Sequence, residues 1–287
     1  MLKDNIRRLI NSFGFQVHRI NKEIIDTSVY HRLYSDDVIE QRPFYNIGAG
    51  SFFHPLWRNV DFSNSWYKDN KININYDLME LKPLPIDSDS AEIIYTSHTL
   101  EHINEEAVDN ILSESFRVLK RNGVIRITVP DVNLYYEAYI NNDKEFYRNS
   151  IKFYSDHTVI ESLELNPMSE ASLGAIFLYY FAATVSPLTK YSNKHNITDE
   201  QLKDIFNKHS YPKALDLICK NCHFDPKKSG YHINWMNTDK IIEKLEKLGF
   251  SEVYASAYGQ SRNAALRDTK FFDNTVPGVS CYIEARK

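Results

Sequence analysis

The feature that most constrains the fold is the segment 44–61, in which two apolar stretches flank a pair of glycines. Residues 44–47 have the composition of a buried strand, Gly48 and Gly50 follow as a turn, and a second short strand brings Asp61 to its end. Glycines after a strand let the backbone approach a ligand closely, and an acid after the next strand can accept hydrogen bonds from a ribose diol. The segment therefore predicts a ligand at the carboxyl ends of two neighbouring strands.

The spacing of this turn argues against NAD. A dinucleotide fingerprint places its acid about 20 residues beyond the glycines and carries a third glycine. Here Asp61 lies 13 positions after Gly48, and Phe52 stands where a further glycine would be. A glycine pair also occurs in ordinary structural turns, so the interpretation depends on the rest of the chain.

The next 70 residues continue the pattern of an open parallel sheet. Strands are predicted over 71–77, 91–96 and 124–129, and a helix over 103–119 begins after Asn104 and ends at Asn122-Gly123. Ligands of such sheets bind at the carboxyl ends of the strands. Those ends carry Gly48, Gly50, Asp61, Asp77, Ser97, His98 and Asp131.

Residues 133–232 change to helical segments rich in tyrosine, namely Tyr135, Tyr136, Tyr139, Tyr147, Tyr154, Tyr179, Tyr180 and Tyr191. We expect this insertion to cover the site, with a few tyrosines lining a pocket for a sugar or another polyol and the others bridging core and solvent. A helix over 239–248 and strands over 253–258 and 279–285 then return to the sheet. The predicted units are an N-terminal helical extension 1–42, a core 43–131, a helical cap 132–235 and a C-terminal completion of the core 236–287.

Bulk composition excludes several classes of protein. The 287 residues are 43% hydrophobic, which is enough for a core, and the net charge of −4 gives no general attraction to nucleic acid. Three cysteines form no disulfide framework, and the sequence offers neither a signal peptide nor about 18 consecutive apolar residues. We therefore expect a cytoplasmic location. The number of chains that assemble stays open.

Residues 5–20 predict a basic amphipathic helix. Its apolar residues are at helical spacing beside three arginines: Ile6, Leu9, Ile10, Phe13 and Val17, with Arg7, Arg8 and Arg19. The favoured interpretation is a helix packed on its own domain, and the alternative is weak contact with a membrane surface or a partner.

With these elements placed, residues 44–131 resemble class I S-adenosylmethionine-dependent methyltransferases. They are most similar to the small methyltransferases that occur with enzymes of bacterial surface-glycan synthesis, such as those of capsule and O-antigen. The segments that match are 46–50 (Asn-Ile-Gly-Ala-Gly), 57–61, 76–78, 84–95, 97–103 (Ser-His-Thr-Leu-Glu-His-Ile) and 116–131, and the tail 231–287 also fits.

The resemblance implies an α/β fold with a Rossmann-like sheet, mostly parallel with a final antiparallel strand, and a helical cap inserted after the fifth strand. It implies S-adenosylmethionine as the cofactor. Asp61 would hold the ribose hydroxyls, Asp77 and Leu78 would bracket the adenine, and the glycine turn would pass the methionine part. The implied cofactor-binding residues are Asn46, Gly48, Ala49, Gly50, Asp61, Phe62, Asp77, Leu78, Ser97 and His98.

Two positions depart from the family pattern. Asn46 stands where an acid usually begins the glycine motif, and Phe52 replaces the third small residue. Asparagine can hydrogen-bond to the cofactor's amino group but cannot pair with its charge. These departures leave open a second interpretation, a non-catalytic cofactor-binding module in a glycan-assembly complex.

Methyl transfer to a hydroxyl needs in-line positioning and a base for the hydroxyl proton, and histidine suits that role near neutral pH. We predict O-methylation of a sugar hydroxyl, on a nucleotide-linked sugar or a growing glycan. One of His98, His102 and His232 would be the base, Asp131 would orient the base or the acceptor, and no metal ion is expected.

Two further motifs compete for the same chemistry. His98-Thr-Leu-Glu101-His102 matches the zinc peptidase pattern H-x-x-E-H, which needs a helix and a distant third ligand. Cys219-Lys-Asn-Cys222-His223 matches C-x-x-C-H, a haem attachment pattern that requires export. The zinc hydrolase stays the less favoured alternative, and the second motif is interpreted as ordinary thiols.

Overall fold

The computed structural model describes residues 25–63, 71–154, 157–162, 164–166, 172–190 and 196–287. The helix predicted over 5–20 and the tyrosine at position 191 lie outside these described residues. None of the described helices combines the length and the apolar content that a membrane span requires.

Seven strands form one sheet in the order β3-β2-β1-β4-β5-β7-β6. Strands β1 to β5 pair in parallel, and β7 runs antiparallel to both β5 and β6. This topology confirms the predicted Rossmann-like fold with its antiparallel strand at the end of the chain. The strands are β1 Phe44–Ile47, β2 Trp57–Asp61, β3 Ile74–Asn75, β4 Ala91–Ser97, β5 Leu119–Pro130, β6 Ser251–Ser256 and β7 Ser280–Arg286.

The α-helices of the described residues lie before, between and after these strands. Two precede the sheet, α1 Ser28–Leu33 and α2 Asp36–Gln41, and α3 Glu105–Val118 connects β4 to β5. The region after β5 contains α4 Val132–Ile140, α5 Arg148–Tyr154, α6 His157–Ser162, α7 Leu173–Tyr179, α8 Asp199–Lys208 and α9 Tyr211–Cys219, and α10 Thr238–Lys247 precedes β6.

The central strands are buried on both faces, as expected of parallel strands covered by helices. Because successive side chains of a strand point to opposite faces, Tyr45 and Ile94 join the cluster packed on α3. Their neighbours Phe44 and Ile93 join an aromatic cluster around Trp57 on the other face. The apolar runs in the sequence therefore mark a sheet with a core on each side.

The junction between α3 and β5 differs from the prediction. The helix begins after Asn104 as expected, since the Asn104 side chain accepts a hydrogen bond from the Ala107 N–H. It ends at Val118, and Asn122-Gly123 lies within β5 instead of closing the helix. The cause is Leu119, which is fully buried and pairs with Ala91 of β4, so the chain enters the sheet early and forms a bulge before Val124.

The region between β5 and α10 forms a third hydrophobic cluster, which contains or packs against six of the predicted tyrosines: Tyr135, Tyr136, Tyr139, Tyr147, Tyr179 and Tyr180. Tyr135 of α4 stacks on Tyr180 with ring centroids 4.3 Å apart, and the Tyr147 hydroxyl donates to the Tyr135 carbonyl at 2.7 Å. The cluster is tied to the sheet where the Val132 N–H donates to the Met236 carbonyl. These helices therefore stand beside the carboxyl end of β5, where the fold brings ligands.

Candidate active site

The glycine turn after β1 has the backbone conformation that requires glycine. Gly48 and Gly50 have φ of 67° and 53°, a region that other L-residues rarely occupy. A Cβ atom on Gly48 would lie 2.2 Å from the Thr99 side chain. The turn is also fixed to the next strand, because the Gly48 N–H donates to the Val60 carbonyl. The backbone after β1 is therefore fixed in position between Thr99 and β2.

The carboxylate of Asp61 meets this turn at the end of β2. Its Oδ2 accepts from the Gly50 N–H at 2.7 Å, and its Oδ1 accepts from the Phe62 N–H at 2.8 Å. Burial raises the pKa of this carboxyl, and the two backbone donors oppose that shift. Because each carboxylate oxygen has a second lone pair, Asp61 can still accept two more hydrogen bonds. A ribose diol supplies that number of donors.

A cavity opens between the ends of β1, β2 and β4, and we call it the rim cavity. Its far wall is a short 3-10 turn over Leu78–Glu80, which begins where the Asp77 side chain accepts from the Met79 N–H. Seven of the predicted cofactor-binding residues line the rim cavity: Gly48, Gly50, Asp61, Phe62, Asp77, Leu78 and His98. Met79, Thr99, His102 and Ile103 also line it.

The other three predicted cofactor residues, Asn46, Ala49 and Ser97, line a second cavity behind the glycine turn, the asparagine cavity. Asn46 is only 3% exposed, and its Oδ1 accepts no hydrogen bond from the described residues. Phe52 also borders this cavity and packs on Trp57 and Phe272. The phenylalanine that departs from the family pattern therefore leaves the rim cavity open.

A third cavity lies under the tyrosine-rich helices, and we call it the tyrosine cavity. Its lining comes from the sheet, from the helical region and from the segment before α10: His98, Pro130, Tyr135, Tyr179, Tyr180, Ala183, Gly230, Tyr231, His232, Val276 and Val279. His98 lines both this cavity and the rim cavity. The His98 side chain can therefore contact a molecule in the rim cavity or in the tyrosine cavity.

Three histidines surround one buried carboxylate, and we call this set the Glu101 cluster. Oε1 of Glu101 lies 3.2 Å from Nδ1 of His98, 3.8 Å from Nε2 of His102 and 4.0 Å from Nε2 of His232. The structure thus brings together all three histidines that the sequence nominated. Glu101 is the carboxylate that joins them.

Local structure explains how residues so far apart in the chain meet. His98 ends β4 in a left-handed conformation with φ of 51°, and Glu101 follows in the 3-10 turn Leu100–His102. The Glu101 carbonyl accepts from the Ile233 and Asn234 N–H groups at 2.8 and 3.1 Å. This backbone pair fixes His232 against a turn that lies 130 residues earlier in the chain.

Ionisation in the Glu101 cluster follows from burial and mutual contact. Burial would raise the pKa of the Glu101 carboxyl, but contact with His98 and the nearby His102 and His232 lower it to about 2. Burial and the adjacent His102 lower the pKa of His232 to about 4, so this ring is neutral at pH 7. The cluster therefore holds one carboxylate beside at least one neutral imidazole.

The structure places Asp131 at the start of α4. Its carboxylate accepts from the Asn133 N–H at 3.0 Å and caps α4. Among the hydrogen bonds between described residues, none joins Asp131 to a histidine of the cluster. Glu101 makes those contacts instead. The motif itself held the signal, since Glu101 stands three positions after His98 and directly before His102.

The zinc peptidase interpretation lacks its structural context. That motif requires both histidines on one face of an α-helix, whereas His98 precedes the short 3-10 turn in a left-handed conformation. For Cys219, Cys222 and His223, the described residues contain no arrangement in which all three ligand atoms lie close enough to share an ion. Neither motif supports the chemistry that its pattern indicates.

Residues 57–127, which extend from β2 into β5, match the family described as "Methyltransferase domain". This protein carries a methyltransferase domain. The rim cavity, with its glycine turn and the free lone pairs of Asp61, has groups that would hold S-adenosylmethionine. A search of curated proteins found no match for the sequence of this methyltransferase.

Two solved structures illustrate what the methyltransferase is similar to. One is a SAM-dependent methyltransferase from Archaeoglobus fulgidus, with 14% identity, 85% coverage of both chains and a TM-score of 0.39. The other is a SAM-dependent methyltransferase from Thermotoga maritima, described as a possible histamine N-methyltransferase, with 13% identity, 98% coverage of both chains and a TM-score of 0.40.

Proposed function

We propose that this methyltransferase transfers the methyl group to a sugar hydroxyl, on a nucleotide-linked sugar or on a growing surface glycan, with His98 as the base. The observation that carries the proposal is that His98 lines both the rim cavity and the tyrosine cavity. A base in this position can reach an acceptor hydroxyl beside the methyl group of a cofactor bound in the rim cavity.

The residues around the rim cavity support a proposed place for each part of the cofactor. Asp61 would accept from the ribose hydroxyls, and Leu78 with Ile103 would contact the adenine. The amino-acid end would pass Gly48 toward the asparagine cavity, where the buried Oδ1 of Asn46 can accept from an ammonium group. The methyl group then lies on the His98 side of the turn.

The lining of the tyrosine cavity supports a sugar as the acceptor. Tyrosine rings pack on the C–H faces of a sugar, and their hydroxyls can exchange hydrogen bonds with its oxygens. Tyr135 and Tyr180 present a stacked pair at one wall, with His98 and His232 among the polar groups. We propose residues 132–235 as the acceptor-binding cap on a core built from 43–131 and 236–287, with 1–42 as an extension.

The reaction needs one proton transfer. The acceptor oxygen attacks the methyl carbon, the bond from carbon to sulfur breaks, and the thioether leaves as a neutral group, so only the hydroxyl proton needs a recipient. Nε2 of His98 would take that proton, in the position where it now lies 2.8 Å from the Ser280 hydroxyl. Ser280 also bonds to the Val276 carbonyl, so it keeps a partner when the acceptor enters. The Glu101 carboxylate beside Nδ1 stabilises the resulting imidazolium.

A panel of nucleotide sugars, incubated with the protein and S-adenosylmethionine, tests the proposed acceptor. We expect S-adenosylhomocysteine to form together with a methyl ether, detected by mass and by fragmentation of the sugar. Cofactor binding without transfer to any sugar, or methylation confined to amine acceptors, would contradict the proposal.

The variant His98→Gln tests the base. Loss of a general base typically lowers the rate by about 10²- to 10⁴-fold, so kcat should fall within that range while the cofactor still binds. The matched control is His209→Gln, because His209 is exposed at the end of α8, away from the three cavities. Equal kcat for the two variants would exclude His98 as the base.

A further inference from the structure

We propose that Glu101, His102 and His232 form a binding site for one divalent transition-metal ion, at the junction of the rim and tyrosine cavities. One ligand atom from each residue lies within 4.8 Å of the other two. His102 lines the rim cavity and His232 the tyrosine cavity, so an ion held between them would face both. The sequence analysis expected no metal ion and considered zinc only through the H-x-x-E-H pattern, in which His98 and His102 would be the ligands.

The incomplete compensation of the buried Glu101 carboxylate is the observation that points to a cation. Glu101 is only 1% exposed, and neither of its carboxylate oxygens accepts a well-aligned hydrogen bond from the described residues. A buried charge without a hydrogen-bonding partner is costly, and proteins compensate for it with a counter-charge or a metal ion. Nδ1 of His98 lies within hydrogen-bonding distance of Oε1, at 3.2 Å, whereas Nε2 of His102 and Nε2 of His232, at 3.8 and 4.0 Å, are too far away for hydrogen bonds.

The orientation of the two imidazoles is the second observation. Nδ1 of His102 lies 3.1 Å from the Tyr231 carbonyl, and Nδ1 of His232 lies 2.7 Å from the Tyr180 carbonyl. Carbonyl oxygens only accept, so each Nδ1 carries a proton, and the neutral form of each ring presents the Nε2 lone pair toward Glu101. A metal-binding histidine commonly donates its other N–H to a backbone carbonyl in this way.

The distances fit an ion. Metal–ligand bonds of about 2.1 Å put the ligand atoms of a tetrahedral centre about 3.4 Å apart. Nε2 of His102 lies 3.8 Å from Oε1 of Glu101, and Nε2 of His232 lies 4.0 Å from the same oxygen. The two imidazole rings pack edge to face, with their centroids 4.7 Å apart. Side-chain shifts of about 0.5 Å would complete the contacts. The ligand set also differs from the zinc peptidase pattern, because Glu101 binds the ion and His98 does not.

Two imidazoles and one carboxylate select the class of ion. Imidazole favours zinc, cobalt, iron and nickel over magnesium and calcium, which prefer sites made of oxygen alone. Three protein ligands leave at least one coordination position open. The role of the ion rests on the proposed function: an acceptor hydroxyl in that position would be oriented and would become more acidic, with His98 adjacent to take its proton.

Metal uptake by the full-length chain tests the site without any assay of activity. The protein is stripped with a chelator and titrated with Co²⁺ and Zn²⁺, followed by calorimetry and by the visible absorption of bound Co²⁺. We expect one ion per chain. Glu101→Gln, which keeps the shape of the side chain, and His232→Gln should each weaken binding by about 100-fold or more, because each removes a direct ligand.

Two controls separate this site from other outcomes. The double variant Cys219→Ser/Cys222→Ser removes the two thiols of the C-x-x-C-H motif. It should bind Co²⁺ as the unmodified chain does. Binding of S-adenosylhomocysteine to Glu101→Gln should persist, which confirms folding and is independent of the sugar assay. The proposal is overturned if the stripped chain takes up no ion, if Glu101→Gln binds it equally well, or if the cysteine variant loses it.

Discussion

Buried carboxylates lie at two places on the sheet, beside Arg126 and in the Glu101 cluster. The two places differ in how the negative charge is compensated. In the first, Arg126 of β5 is fully buried and donates to Asp273 at 2.9 and 2.6 Å and to Glu284 of β7 at 3.1 Å. In the second, the Glu101 carboxylate has three neighbouring imidazoles, of which only His98 comes as close as 3.2 Å, and neither oxygen accepts a well-aligned hydrogen bond from the described residues. The first group is complete, and the second has room for a ligand.

The partners of the Arg126 group explain why it is structural. The guanidinium also donates to the Ala257 carbonyl, and Asp273 accepts further bonds from Thr128 and from the Gly259 N–H. These contacts fix the loop after β6 to the centre of the sheet. The Glu101 cluster also joins distant segments, through the Glu101 carbonyl and one nitrogen of each histidine, while the Glu101 carboxylate and Nε2 of His102 and His232 remain available. Availability of buried polar atoms is what separates a functional cluster from a structural one here.

The largest expected effect is the loss of stability when Arg126 is replaced. Arg126→Met leaves two buried carboxylates without their cation and should lower the free energy of unfolding by about 3–5 kcal/mol, measured by urea denaturation. Lys120→Met breaks a partly exposed pair with Glu92 and should cost less than about 1 kcal/mol. Similar losses for both variants would show that the Arg126 group is not a special source of stability.

Asp61 sharpens the comparison, because two donors satisfy it in part and two lone pairs remain for the cofactor. Losing hydrogen bonds to a charged group should cost about 2.7 kcal/mol, so Asp61→Ala should weaken binding of S-adenosylhomocysteine by about 100-fold. Asp61→Asn keeps the shape and should lose less. Calorimetry against Asp87→Ala, an exposed aspartate, provides the control; unchanged affinity in Asp61→Ala would disprove its contact with the ribose.

The glycine turn borders the rim cavity and the asparagine cavity. A substitution at Gly48 tests whether steric contact with Thr99 fixes the conformation of this turn. Gly48→Ala forces a Cβ against Thr99 at positive φ and should cost about 2 kcal/mol in the free energy of unfolding. Adding Thr99→Ala removes the two closest atoms and should recover part of that loss, which a double-mutant cycle measures. Strict additivity of the two substitutions would mean that the contact does not limit the turn.

The smallest expected effect on stability concerns Glu105, a partly exposed carboxylate that already pairs with two lysines. Burial opposes its ionisation, but Lys240 and Lys244 at 2.7 and 2.6 Å lower its pKa to about 2 from 4.5. Its contribution is therefore fully present above pH 4.5 and is lost as the pH falls towards 2. The side chain is 49% exposed, so Glu105→Gln should cost about 1 kcal/mol at neutral pH.

The difference in unfolding free energy between the unmodified chain and Glu105→Gln should then shrink on acidification. Glu106→Gln, an exposed neighbour, serves as the control and should show no such pH dependence. A difference that stays constant down to the folded pKa would contradict the assignment of this ion pair.

The fold and the rim cavity could be predicted because their determinants are local. Strand periodicity, the glycine turn and the acids after each strand are contiguous in sequence, and parallel strands bring their carboxyl ends to one edge. The α3–β5 junction was predicted wrongly because tertiary pairing of Leu119 with Ala91 outweighed the local Asn-Gly signal. Local patterns carry no information about such long-range pairing.

The arrangement of the Glu101 cluster could not be predicted for the same reason. The sequence nominated His98, His102 and His232 as alternatives, but it gave no distance between residues 102 and 232. Their meeting depends on the backbone bonds from Ile233 and Asn234 to Glu101. The tautomers that point each Nε2 inward depend on carbonyls of Tyr231 and Tyr180, which no sequence pattern reveals.

The most direct test is a crystal structure of the full-length chain with S-adenosylhomocysteine bound. We predict the ribose hydroxyls on Asp61, the adenine beside Leu78, and the sulfur on the side of the glycine turn that faces His98 and the tyrosine cavity. A cofactor bound elsewhere, or a sulfur separated from His98 by protein side chains, would contradict the account.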